Sequence, residues 1–118
     1  MIFYRYKKCS TCVKALKFLE ANKIDATIKE IRETPPTLGE LNRALKSYNG
    51  EIKKLLNTSG QDYRSLGLKD KLATMSDDEV LQMLSENGNL VKRPFLVVDQ
   101  ATVICGFKEE VYKPLLNL

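Results

Sequence analysis

The sequence predicts one α/β domain in which a βαβ unit and a β-hairpin are separated by a helical block. Three observations predict it. An apolar run, Ile2-Phe3-Tyr4-Arg5-Tyr6, precedes an amphipathic stretch and a second strand-like segment. Two Ser/Thr-x-x-Glu boxes, Thr37 with Glu40 and Ser76 with Glu79, mark helix starts in mid-chain. Near the end, two short apolar runs flank a polar turn, which is the pattern of a hairpin. A chain of 118 residues is long enough for one real core and too short for two, so residues 1–118 form a single domain.

Taken in order, the first strand covers Ile2 to Tyr6 and the first helix Ser10 to Ala21, with Asn22-Lys23 as its stop. Asp25 to Ile31 reads as a strand with one exposed side, its Ala and Ile positions alternating with polar ones. Strand, helix and strand at this spacing make a parallel, right-handed βαβ unit. After Thr34-Pro35-Pro36, the box at Thr37 starts a helix carrying Leu38, Leu41, Leu45 and Tyr48 on one side, ended by Asn49-Gly50. Shorter helical pieces are expected at Ile52 to Leu56 and Gln61 to Ser65. The box at Ser76 starts another helix, with Val80, Leu81 and Leu84 on one face and Asn87-Gly88 as its close. Phe95 to Val98 and Thr102 to Ile104 form the antiparallel hairpin, and Pro94 is allowed at a strand's first residue. Lys108 to Leu116 is the closing helix, bent or shortened at Pro114. The strands add up to a mixed four-stranded sheet.

Chemistry concentrates at the first strand-to-helix turn, Lys7-Lys8-Cys9-Ser10-Thr11-Cys12. A C-x-x-C in that setting is that of a thiol–disulfide redox pair. The first thiol meets the positive end of a helix and its free N–H groups, and Lys7 and Lys8 add charge. Cys9 is thus the candidate nucleophile and Cys12 its resolving partner. A structural zinc site would need four ligands, and the chain has no His and only one further cysteine, Cys105. Two stabilising disulfides cannot be built from three cysteines. Buried cysteines acting as small hydrophobes are the remaining reading, and it fits poorly because Cys9 falls at the turn.

No secretory leader opens the chain, so a reducing cytoplasm is the expected compartment. Its apolar runs are too short for a membrane span. Nineteen basic residues against fifteen acidic ones give +4, and the lysines are scattered. Nucleic-acid binders concentrate such charge on one face, so no direct nucleic-acid contact is expected.

Further segments narrow the reading. Pro35-Pro36 before the capped helix, Lys54-Leu55-Leu56-Asn57-Thr58-Ser59-Gly60, Tyr63-Arg64-Ser65-Leu66-Gly67-Leu68, Met75-Ser76-Asp77-Asp78-Glu79 and Val91-Lys92-Arg93-Pro94 follow one another in order. With the C-x-x-C turn they resemble the ArsC/Spx family of arsenate-reductase-like proteins, over essentially the whole chain. The resemblance implies a thioredoxin-like fold. It implies that Cys9 occupies the place of the cysteine that attacks arsenate, that Arg93 is an anion-binding arginine, and that Pro94 is cis. Two more anion-binding arginines would be expected, and Asn57 and Gly106 stand at their positions. The closest resemblance is to the branch with C-x-x-C and without the arginine trio.

The expectations are therefore these. Cys9 and Cys12 are catalytic, and Lys8, Ser10, Thr11, Arg93 and Pro94 bind the substrate or anion. No metal or bound cofactor is expected, with glutathione, glutaredoxin or thioredoxin as reductant. The partners are a thiol reductant or a protein disulfide, and the chain is a monomer. The function is thiol–disulfide exchange without efficient arsenate reduction. The alternative is an Spx-like redox-switched regulator that contacts the carboxy-terminal domain of the RNA polymerase α-subunit.

Overall fold

The structure, a computed structural model, describes residues 1–118. Four strands, β1 (Ile2–Arg5), β2 (Thr27–Glu30), β3 (Phe95–Val97) and β4 (Val103–Cys105), form one sheet in the order β2-β1-β3-β4. The β1–β2 pair is parallel, and β1–β3 and β3–β4 are antiparallel. The α-helices are α1 (Ser10–Ala21), α2 (Leu38–Ser47), α3 (Gln61–Ser65), α4 (Leu68–Lys71), α5 (Asp77–Glu86) and α6 (Glu109–Leu115).

Side chains alternate across a strand, so β1, β3 and β4 each serve two cores. Phe3, Leu96 and Ile104 point to one face, where Ala15 and Leu19 of α1 and Tyr112 of α6 close over them. Tyr4, Phe95, Val97 and Val103 point to the other, beneath Leu41 and Ala44 of α2 and Val80, Leu81 and Leu84 of α5. The helical block expected between the two β regions is thus one outer layer, and α1 with α6 is the other.

Two local expectations need correction. The alternation assigned to residues 25–31 stops at Glu30, and Ile28 is 41% exposed while Ile31 is fully buried. Ile28 pairs with Phe3 on the outermost strand, at the margin of the sheet. Asn87-Gly88 does end α5, but not through a left-handed glycine, since Gly88, unlike Gly50, Gly67 and Gly106, does not have a positive φ. The glycine is required by close approach instead: a Cβ there would lie 1.7 Å from the Ile31 carbonyl oxygen. Helix α4 was also not anticipated; Gly67, at φ +62, breaks the chain after α3 and lets a new turn begin.

Both capping boxes form, with different surroundings. Glu79 is open to solvent, where the Ser76 amide and hydroxyl hold its carboxyl below the usual range. Glu40 is buried, and its Oε1 accepts the Thr37 N–H at 3.0 Å and the Tyr4 hydroxyl at 2.6 Å. Burial, then that hydrogen bond, push the Tyr4 phenol up. Glu40→Ala is expected to cost about 2–4 kcal/mol, since it removes a cap and orphans a buried hydroxyl. Glu79→Ala, which leaves no buried group unpaired, should cost clearly less. Urea unfolding of the two variants checks this; equal losses would mean that the Tyr4 contact contributes nothing.

The far end of α2 fastens the outer edge of the sheet. The Ser47 Oγ accepts the Val103 N–H at 3.1 Å and donates to the Ala101 carbonyl at 3.3 Å. The Tyr48 hydroxyl accepts the Cys105 N–H at 2.8 Å and donates to the Cys105 carbonyl at 3.3 Å. Backbone groups of β4 that no strand satisfies are thereby paired.

Candidate active site

Cys9 is the N-cap of α1, with extended backbone at φ −89 and ψ 114. Its N–H donates to the Tyr6 carbonyl at 3.0 Å, and its carbonyl accepts the first helical bond from the Val13 N–H at 3.1 Å. The Cys9 Sγ accepts the Cys12 N–H at 3.4 Å, taking the place that a Ser or Asp oxygen fills at most helix starts. Partial burial opposes the Cys9 thiolate most strongly. It is outweighed by the adjacent Cys12 thiol, the Cys12 and Thr11 amides and the charge of Arg93, so the thiol lies below its ordinary value. Cys12, one turn on, is 1% exposed, and burial pushes its thiol up to about 12. Two cysteines three residues apart are thus set in opposite directions. All three cysteines are free thiols.

The charge that acts on Cys9 comes from Arg93. Lys7 and Lys8, expected to supply it, are exposed and line a different cleft, of about 520 Å³, with Arg5, Tyr6 and Arg32. Ser10 is exposed in the first turn. Thr11 presents its N–H to Cys9 and lines the same cleft as Arg93. The Arg93–Pro94 peptide bond is cis. Pro94 is buried, and its carbonyl accepts the Gly106 N–H at 2.8 Å. Cys105 lines the cleft too, but burial pushes its thiol up to about 12, with Lys92 and Tyr48 only partly opposing. No three His, Cys, Asp or Glu side chains gather as metal ligands, and no helix is long and apolar enough to cross a membrane.

Two site residues escaped the sequence. The Arg93 guanidinium lies 4.7 Å from the centroid of the Tyr6 ring, and that of Arg32 lies 5.0 Å from the same centroid. Both then border a small polar pocket of about 180 Å³ with Asn57. Tyr6 looked like the end of a strand and Arg32 like a loop residue. No spacing connects positions 6, 32 and 93, because the sheet alone brings them together. The lysines were not all scattered either: Lys53, Lys54, Lys92 and Lys108 converge on one cleft with Arg93.

The sequence pattern of the ArsC family matches residues 4–115. The chain belongs to the ArsC family. Among relatives, the uncharacterized protein YusI of Bacillus subtilis is 43% identical, covering 96% of this chain and 95% of its own. The regulatory protein MgsR of Bacillus subtilis is 32% identical over 88% of this chain and 81% of its own. Among solved structures, a possible arsenate reductase from Streptococcus mutans superposes with a TM-score of 0.83 at 41% identity, covering 91% of this chain and 90% of that one. More distant relatives include arsenate reductases and a global transcriptional regulator, Spx 2.

Proposed function

We propose that this chain is a thiol–disulfide oxidoreductase of the ArsC family, acting in a reducing compartment such as the cytoplasm. The Cys9 thiolate attacks one sulfur of a substrate disulfide, forming a mixed disulfide and releasing the other half as thiolate. Cys12, losing its proton, then attacks the Cys9 sulfur and expels the second half. The substrate disulfide gains two electrons and two protons, and the Cys9–Cys12 dithiol becomes a disulfide. A thiol reductant such as glutathione, glutaredoxin or thioredoxin reverses this. The carrying observation is the asymmetry of the pair: a lowered thiol at the helix cap beside a buried one pushed up to about 12.

The sign is testable. Alkylation by iodoacetamide follows the thiolate fraction, so its rate rises through the thiol's pKa and then levels off. In a Cys12→Ser/Cys105→Ser variant, the Cys9 rate should level off well below the pH of an ordinary thiol. In a Cys9→Ser/Cys105→Ser variant, Cys12 should stay slow through pH 9. An ordinary profile for Cys9 would remove the mechanism.

The regulatory relative MgsR favours a second reading, a redox-switched binding module that docks a transcription partner such as the RNA polymerase α-subunit carboxy-terminal domain. Turnover with a disulfide substrate and a reductant separates the two. A switch changes affinity between its dithiol and disulfide forms and needs no substrate.

A further inference from the structure

A cleft of about 450 Å³ opens beside the reactive turn, within the range of roughly 300–1,000 Å³ that small-molecule sites occupy. Lys53, Lys54, Lys92, Arg93 and Lys108 line it, and Thr11 ties it to the first turn of α1. No carboxylate lines it. The one side-chain ion pair in the protein, Arg5–Glu30, lies elsewhere, so none of these five cations is held in an ion pair. Gathering like charges costs mutual repulsion, which an anionic occupant relieves. Cys9 itself does not line it, but Thr11 and Arg93 do, and both act directly on Cys9, so the cleft adjoins the reactive turn.

We propose that this cleft is the substrate subsite of the Cys9–Cys12 pair and takes a low-molecular-weight disulfide carrying two or more carboxylate or phosphate groups. The inference rests on the redox reading above and names its substrate class. The lysines hold the anionic groups while Cys9 attacks the nearer sulfur, releasing one anionic thiolate. Cys12 then releases the second, so two thiols leave for each protein disulfide formed. A cleft lined by one sign of charge raises encounter rates by roughly 10- to 1,000-fold, an effect that salt suppresses.

The test compares oxidation rates of the dithiol protein by four disulfides: glutathione disulfide (carboxylates), coenzyme A disulfide (phosphates), 2-hydroxyethyl disulfide (neutral) and cystamine (cationic). The readout is the ratio of anionic to neutral rate. In Lys53→Gln/Lys54→Gln/Lys108→Gln that ratio should fall roughly tenfold and lose its salt dependence. Whichever anionic disulfide shows the larger ratio assigns carboxylate or phosphate. In Lys69→Gln/Lys71→Gln, on α4 outside the cleft, the ratio should not change.

A second measurement needs no chemistry: calorimetric titration of glutathione disulfide and coenzyme A disulfide into Cys9→Ser, with and without the three lysine changes. If Cys9 is unreactive toward the neutral disulfide yet Cys9→Ser binds an anionic one through the lysines, the redox reading falls and the anion cleft stands. If Cys9 reacts but neither ratio nor binding responds to the lysines, the cleft inference alone is overturned. Acceleration confined to a disulfide within an acidic peptide would overturn the small-molecule assignment.

Discussion

Gly88→Ala should lower stability by at least about 3 kcal/mol, with a fall in melting temperature of roughly 10–20 °C. The added Cβ would lie 1.7 Å from the Ile31 carbonyl oxygen and 2.6 Å from its carbon. Both are backbone atoms, so no side-chain rotation relieves the overlap. The segment after β2 is itself fixed, because the Ile31 N–H donates to the Arg5 carbonyl at 2.8 Å and its side chain is fully buried. The Gly88 side is fixed as well, through the Asn57 N–H to the Leu90 carbonyl at 2.8 Å. One of these attachments must give. Gly39→Ala is the internal comparison: its Cβ would meet only the Thr37 Oγ1, at 4.0 Å, inside α2. That variant should be neutral or gain up to about 1 kcal/mol. Urea and thermal unfolding of both decide; a Gly88→Ala protein within about 1 kcal/mol of the parent would show that the two segments part freely.

The second large effect is an absence of activity. With glutathione and glutaredoxin supplied, arsenate reduction should be slower by roughly two to four orders of magnitude than three arginines at the anion site would allow. Each lost hydrogen bond to a charged group is worth about 1.5–3 kcal/mol, and Asn57 and Gly106 stand where the resemblance would place two further arginines. Asn57 spends its side chain on the Asn89 carbonyl, at 3.3 Å. Gly106 is at φ +80, where an arginine would be strained, and a Cβ there would lie 3.1 Å from the Lys92 side chain. Lys92 lies against that spot, but as a point charge it lacks the planar fork that grips a tetrahedral oxyanion. Steady-state turnover in the parent and in Cys9→Ser measures this. Vigorous Cys9-dependent turnover that Arg32→Gln abolishes would assign the missing guanidinium to Arg32, the other arginine against Tyr6.

The elements with a local cause were legible in the sequence. Thr37 and Ser76 announce α2 and α5 because a capping box is written within four residues. The Asp99 turn is equally local, its carboxylate accepting the Ala101 and Thr102 N–H groups. The position of Cys9 at the start of α1 was legible because strand, turn and helix follow one another without a break. What stayed hidden depends on the sheet order. Arg32 follows β2 and Arg93 precedes β3, on opposite sides of β1, and only that order sets both against Tyr6. The role of Gly88 was misread for the same reason. A glycine after a helix suggests a left-handed cap, whereas the approach of Ile31 is a tertiary fact with no trace in the neighbouring residues.

The hydroxyls of Ser47 and Tyr48 also decide where the sheet could grow. An extended peptide joins a sheet by bonding to the unpaired N–H and C=O groups of an outer strand. At β4 and the turn before it those groups are already taken at residues 101, 103 and 105, so a docking strand would have to displace two hydroxyls and the end of α2 that presents them. The opposite margin is β2, four residues long and carrying Lys29 and Glu30 beside the exposed Ile28. Its shortness and charge oppose templated polymerisation. Any partner that recognises this protein by strand exchange is therefore confined to Thr27–Glu30, and a proline at Ile28 would separate that mode of recognition from all others.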